Sequence, residues 1–153
     1  MFEMPPGSFF LTDRFSGKDG MPFSDEGDSR EPQRGLPKIL VVDDERRIAD
    51  TLAEILEMSG YRVATAYDGW EALKVAERFR PDYVLSDVLM PRMNGVDLGI
   101  AMRKMFPDAK ILLFSGQAGI SEILLEGQRQ GFEFELIAKP IHPLKLIERL
   151  KEQ

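Results

Sequence analysis

The chain has 153 residues, 43% hydrophobic and 30% charged, which suits an ordinary globular domain long enough to bury its own core. It has no cysteine, so disulfides and thiolate metal sites are excluded, and 20 basic against 26 acidic residues give a net charge of −6, which argues against direct nucleic-acid binding. No apolar run approaches the length of a membrane helix and no basic start leads into an apolar block, so neither a membrane span nor a secretory signal is expected, and a cytoplasmic location is the default.

Residues 1–36 are rich in Gly, Pro, Ser and Asp and carry seven acids against four bases. Such a stretch cannot bury enough apolar surface to offset its chain entropy, so it reads as a disordered N-terminal extension to a domain spanning 37–153. A true translation start at Met21 or later is an equally plain reading of it.

From Lys38 onward the pattern alternates. Ile39-Leu40-Val41-Val42 is a continuous aliphatic, mostly β-branched run, the mark of a central strand covered on both faces. Ile48, Leu52, Ile55 and Leu56 then recur at helical spacing, with Gly60 as the stop. Residues 62–66 form a second predicted strand. Asp68 with Glu71 resembles a capping box opening a helix through Phe79. A third strand covers 83–86, a loop follows over 90–95, and a helix runs from about Val96 to Phe106. Residues 110–114 are the fourth strand, Ser121 to Gln130 the fourth helix, and 134–138 the fifth strand. Pro143 stands in the first turn of a last helix, where its missing N–H costs least. Five strand–helix units with short connections predict an α/β, flavodoxin-like, doubly wound parallel sheet.

Three stretches end or follow these strands with polar groups: Asp43-Asp44-Glu45, Ser86-Asp87 and Lys139-Pro140. In an open parallel sheet ligands bind at the carboxyl ends of the strands, so Asp43, Asp44 and Asp87 would gather there with one ammonium. Packed carboxylates repel and resist ionisation unless a cation joins them, and a hard, oxygen-seeking ion such as Mg²⁺ suits them. The expected chemistry is phosphate chemistry at a metal-assisted aspartate. Alone, Asp43-Asp44 would more simply cap the following helix, and Ser115-Gly116 is common turn chemistry. His142, between prolines, reads as a surface residue, and Trp70 as partly exposed.

With Asp43-Asp44, Ser86-Asp87 and Met90-Pro91-Arg92-Met93-Asn94-Gly95, Phe114-Ser115-Gly116, and Lys139-Pro140 in this order and spacing, the segment from Lys38 resembles a receiver domain of the two-component response regulators. The resemblance implies a sheet of order 2-1-3-4-5. It implies that Asp87 accepts a phosphoryl group from a histidine kinase or histidine phosphotransfer protein. Asp44, Asp87 and the main-chain carbonyl of Leu89 would bind Mg²⁺ directly, with Asp43 holding one of its waters. Lys139 would contact the phosphoryl oxygens, the Lys139–Pro140 bond would be cis, and Ser115 would turn toward the new phosphate.

Where receivers often carry Tyr or Phe three residues before the lysine, this chain has Leu136, so the usual aromatic switch residue is not expected at that position. Leu89 and Gln117 occupy positions that tune phosphate lifetime in the family, and a bulky Leu89 implies slow self-dephosphorylation. The resemblance further implies a stand-alone receiver that signals to an unknown downstream protein through the fourth helix, fifth strand and last helix, a surface that is also a candidate for homodimerisation. A kinase would dock near Ile48 and the loop at 90–94. Two other classes compete: a docking module that is never phosphorylated, and a Mg²⁺-dependent phosphatase with an aspartyl nucleophile. The phosphatase is disfavoured because Leu89 stands where a second Asp would act as general acid.

Overall fold

The structure, a computed structural model, describes residues 35–116 and 120–153. The expected disorder of the N-terminal extension over residues 1–34 and the role given to Gln117 concern residues outside that range. The elements are β1 (Lys38–Val42), α1 (Arg46–Met58), β2 (Arg62–Ala66), α2 (Gly69–Phe79), β3 (Tyr83–Asp87), α3 (Gly95–Met105), β4 (Lys110–Ser115), α4 (Ser121–Arg129), β5 (Glu135–Ala138) and α5 (Pro143–Lys151). The strands form one parallel sheet in the order β2-β1-β3-β4-β5, so neighbours β1 and β3 lead their chains away in opposite directions, which opens a crevice at their carboxyl ends.

Period-two alternation sorts the strand residues onto two cores. Ile39, Val41, Leu85, Leu112, Phe114 and Ile137 face α1 and α5 and meet Leu56, Leu146 and Leu150. Leu40, Val42, Val84, Ile111 and Leu113 face the other side and meet Ala72 and Ala76 of α2, Leu98 and Met102 of α3, and Ile120 before α4. Burying each large side chain contributes about 1.5–3 kcal/mol, which is why continuous apolar runs are needed in strands covered on both faces.

Helix ends follow local chemistry. After α1 and α4, Gly60 (φ 99) and Gly131 (φ 89) take the left-handed conformation, and the next residues, Tyr61 and Phe132, donate backwards to Leu56 and Gly127. This is the Schellman arrangement. At α2, Asp68 accepts from the Glu71 N–H at 2.8 Å, and Glu71 accepts in turn from Tyr67, one residue earlier than the usual capping box. Asn94 caps α3 through the Asp97 N–H. His142 caps α5 by accepting from the Leu144 N–H at 3.1 Å, directly before Pro143.

Two boundaries differ from the sequence reading in a way that matters for the site. Asp87 and Ser115 are the last residues of β3 and β4, because their backbones still pair with Phe114 and Ala138 respectively. Phe134 precedes β5 and leaves the sheet. It stacks with Phe132 (centroids 6.4 Å, planes 6° apart), packs against Gly99 of α3 and lies 5.2 Å from the Arg103 guanidinium.

Candidate functional site

The carboxyl edge of the sheet brings together the residues singled out from sequence. Asp43 follows β1 and is buried, 3% exposed. Both its oxygens are engaged: Oδ1 accepts from the Glu45 N–H at 2.9 Å, and Oδ2 accepts from Lys139 Nζ at 3.3 Å. A carboxylate this deep is tolerated because each oxygen has a partner. Asp87 ends the adjacent strand β3, and its Oδ2 lies 3.6 Å from the same ammonium. Asp44 is exposed at the rim, and Asp43, Asp44 and Asp87 each offer a carboxylate oxygen within 4.8 Å of the others.

Lys139 reaches this edge from β5, two strands away from β3, at a position fixed by its own N–H donating to the Ser115 carbonyl at 2.8 Å. Its Nζ also lies 5.7 Å from the centre of the Phe114 ring. The Lys139–Pro140 bond is cis. Gly116 keeps the space beside this lysine open: a Cβ there would meet Lys139 Cβ at 3.1 Å.

Three carboxylates against one ammonium leave the edge short of positive charge. At an effective dielectric of about 20, two unit charges about 4 Å apart repel by roughly 4 kcal/mol. Accordingly the Asp87 carboxyl is pushed above its ordinary value, first by burial and then by the charges of Asp43 and Asp44, with Lys139 pulling the other way. The donor set is entirely hard oxygen and the unbalanced charge is negative, which fits a divalent ion of the Mg²⁺ or Ca²⁺ type.

Beside Asp87 a small cleft is lined by Val88, Leu89, Phe114, Ser115, Gly116 and Ile120, so the expected hydroxyl and the bulky Leu89 both border the aspartate. The loop after β3 returns tightly: Gly95 donates to the Val88 carbonyl at 2.8 Å, and any Cβ at Gly95 would collide with the Asp87 carbonyl. Only glycine permits that approach.

Ile48 is exposed on α1 next to this edge in sequence, at 40%. Leu136 is exposed on β5 at 39%, while the nearby Phe132–Phe134 pair packs toward α3. Trp70 is 58% exposed, as expected. Sequence reasoning missed two contacts. One joins Arg149 of α5 to Glu135 of β5, and the other joins Arg92 to Asp68; neither has a sequence pattern to reveal it. The capping role of His142 did have a signal, its place immediately before a proline at the first turn. Among the described residues no helix is long and apolar enough to cross a membrane.

Comparison with known proteins agrees with this geometry. The profile of the response regulator receiver domain matches residues 39–151. The transcriptional regulatory protein PrrA of Mycobacterium tuberculosis is 35% identical over 115 residues, covering 75% of this chain and 48% of that protein. The response regulator MprA of Mycobacterium ulcerans is 34% identical over 114 residues, 74% of this chain and 48% of that one. The chain thus spans about half the length of the curated relatives it matches. Among solved structures, the chemotaxis protein CheY4 of Vibrio cholerae superposes with a TM-score of 0.69 at 32% identity, covering 77% of this chain and 98% of that one. A CheY-like receiver domain protein from Methanospirillum hungatei gives 0.69 at 31% identity, covering 77% and 93%. With its signature residues gathered on one edge of a 2-1-3-4-5 sheet, the chain belongs to the response regulator receiver family.

Proposed function

We propose that this domain accepts a phosphoryl group on Asp87 from a histidine kinase or a histidine phosphotransfer protein and passes the information on through protein contacts. One observation carries the reading: three carboxylates share a space 4.8 Å across, with Lys139 Nζ between two of them, 3.3 Å from Asp43 and 3.6 Å from Asp87. A docking surface alone does not call for such a costly cluster.

In the transfer, one oxygen of ionised Asp87 forms a bond to phosphorus as the bond from phosphorus to the donor imidazole nitrogen breaks. That nitrogen keeps the electron pair. A carboxylate is a weak nucleophile, so the protein contributes by positioning it and by neutralising charge on the transferring group. Lys139 supplies one fixed cation, and Ser115 supplies a hydroxyl at the mouth of the cleft. Bound Mg²⁺, held by Asp44, Asp87 and the Leu89 carbonyl with Asp43 behind one of its waters, would supply the remaining charge neutralisation. Leu89 lines the cleft and restricts water at the acyl phosphate, so the phosphorylated form is expected to persist for minutes; loss of label within seconds at neutral pH would contradict this.

New charge beside Ser115 biases two arrangements of the β4 end, and coupling of this kind is worth about 1–3 kcal/mol. The exposed Leu125, Leu136 and the Glu135–Arg149 pair on α4, β5 and α5 form the face through which a partner, or a second copy, would read that bias. The direct test is intact mass after incubation with Mg²⁺ and acetyl phosphate. One added phosphoryl group, missing without metal and in Asp87→Asn, is the expected result; no addition to folded wild-type protein would favour a docking module.

A further inference from the structure

We infer that Arg92 is a positioning residue for the Mg²⁺ site, acting through its ion pair with Asp68 to fix the loop that carries the Leu89 carbonyl; the inference rests on the reading of the acidic cluster given above. The loop covers residues 88–94 between β3 and α3. Its ends are tied by the backbone, Val88 N–H to the Phe114 carbonyl at 3.0 Å and Gly95 N–H to the Val88 carbonyl at 2.8 Å. Between them the chain makes a tight turn, with Met93 N–H donating to Pro91 at 2.8 Å. Arg92 sits in that turn at φ 71, a conformation that residues with a Cβ seldom adopt.

From there the Arg92 Nη2 donates to Asp68 Oδ2 at 3.2 Å. Asp68 is itself rigidly placed, because its other oxygen accepts from the Glu71 N–H at 2.8 Å and caps α2. The next loop residue, Met93, packs into the slot left by Gly69, where a Cβ would come within 2.5 Å of its sulfur. Two consecutive loop residues therefore grip the first turn of α2, one by charge and one by close packing. The position of Leu89, two residues beyond Asp87, depends on where that loop is held. Neither Arg92 nor Asp68 belongs to the acidic cluster, so their effect on the ion would be indirect.

The test is Mg²⁺ affinity by titration calorimetry in wild type, Arg92→Gly, Asp68→Asn and the double variant. Glycine suits the positive φ, and asparagine caps a helix as well as aspartate, so both variants keep the fold while losing the pair. The side chains are 69% and 31% exposed, which limits each single loss to about two- to fivefold in affinity. The double variant should be no weaker than the weaker single, and Arg92→Lys should recover part of the loss. In phosphorylation by acetyl phosphate, the Mg²⁺ concentration for half-maximal rate should rise by the same factor, while the rate at saturating Mg²⁺ stays within about twofold of wild type. Unchanged affinity in both singles, or losses that multiply in the double, would overturn the inference and leave the receiver reading standing. Failure of the wild type to bind Mg²⁺ at all would remove both.

Discussion

Asp87 and Glu135 each sit beside a cation, and the protein treats them oppositely. Asp87 lies 3.6 Å from Lys139, yet its carboxyl is pushed above the ordinary range, because burial and the neighbouring Asp43 and Asp44 outweigh one ammonium. Glu135 on β5 donates no such tension: Arg149 binds it through Nε at 2.7 Å and through Nη2, Gln153 adds a hydrogen bond at 3.0 Å, and its carboxyl is held below the ordinary range. One site concentrates negative charge that a further cation would relieve; the other has matched its charge and fastens α5 to the edge of the sheet. A salt bridge seen in a structure is thus no guide to its role until every neighbouring charge is counted.

The largest way to sharpen this contrast is Asp87→Asn. It should abolish phosphorylation in the mass assay and, in metal-free buffer at neutral pH, raise the melting temperature. The sign follows from linkage: with its folded value raised, the Asp87 carboxyl gives up its proton at higher pH in the folded state than in the unfolded chain. Stability therefore falls as pH rises from about the unfolded carboxylate value through the raised folded one, so the gain in Asp87→Asn should shrink toward acid pH. A destabilised mutant at pH 7 would break the account.

Next in size, Lys139→Ala removes the fixed cation near the transferring group and should slow phosphorylation by roughly 10²–10³-fold, the usual cost of losing one preorganised electrostatic contact. Single-turnover rates with acetyl phosphate would check it, and a loss below about tenfold would assign Lys139 a merely structural role.

Third, Mg²⁺ should stabilise the wild type by about 2.7 kcal/mol at one hundred times its dissociation constant, read as a shift of the denaturation midpoint. Asp87→Asn should lose most of that response and Glu135→Gln none of it.

The smallest effect is that of Glu135→Gln. Its side chain is 31% exposed, so solvent screens the pair and the loss at pH 7 should be about 1 kcal/mol or less. Because the folded value is depressed, the contribution is complete above the unfolded carboxylate value and disappears as pH falls through the folded one. Wild type and variant should therefore converge in acid, the reverse of the convergence argued for Asp87 only in the sign of the difference. A gap that persisted well below the glutamate range would show that packing, not charge, links β5 to α5.

Much of this was legible in the residue order. Runs such as Ile39–Val42 and Ile111–Phe114 are too continuously apolar to be anything but doubly covered strands, and Gly60 and Pro143 mark where helices can end and begin. Once strands are parallel and alternate with helices, polar groups following them must collect at one edge, so Asp43, Asp44, Asp87 and Lys139 group together from residue order alone. Such inferences need only local periodicity and chain connectivity.

Which atoms meet is a matter of packing across the fold. Lys139 and Asp43 are 96 positions apart, and their 3.3 Å contact depends on the register of four strands and on where β5 ends. Whether Phe134 belongs to β5 or packs against α3, whether Arg92 reaches Asp68, and whether Glu135 finds Arg149 all turn on loop conformations and long side chains. Those choices have no periodic signature, because they are fixed by distances across the fold rather than by spacing along the chain. Residue order sets the elements, their succession and the edge that carries the chemistry; the folded arrangement sets the charge balance there, since Coulomb energy depends on separation and burial, which come from packing.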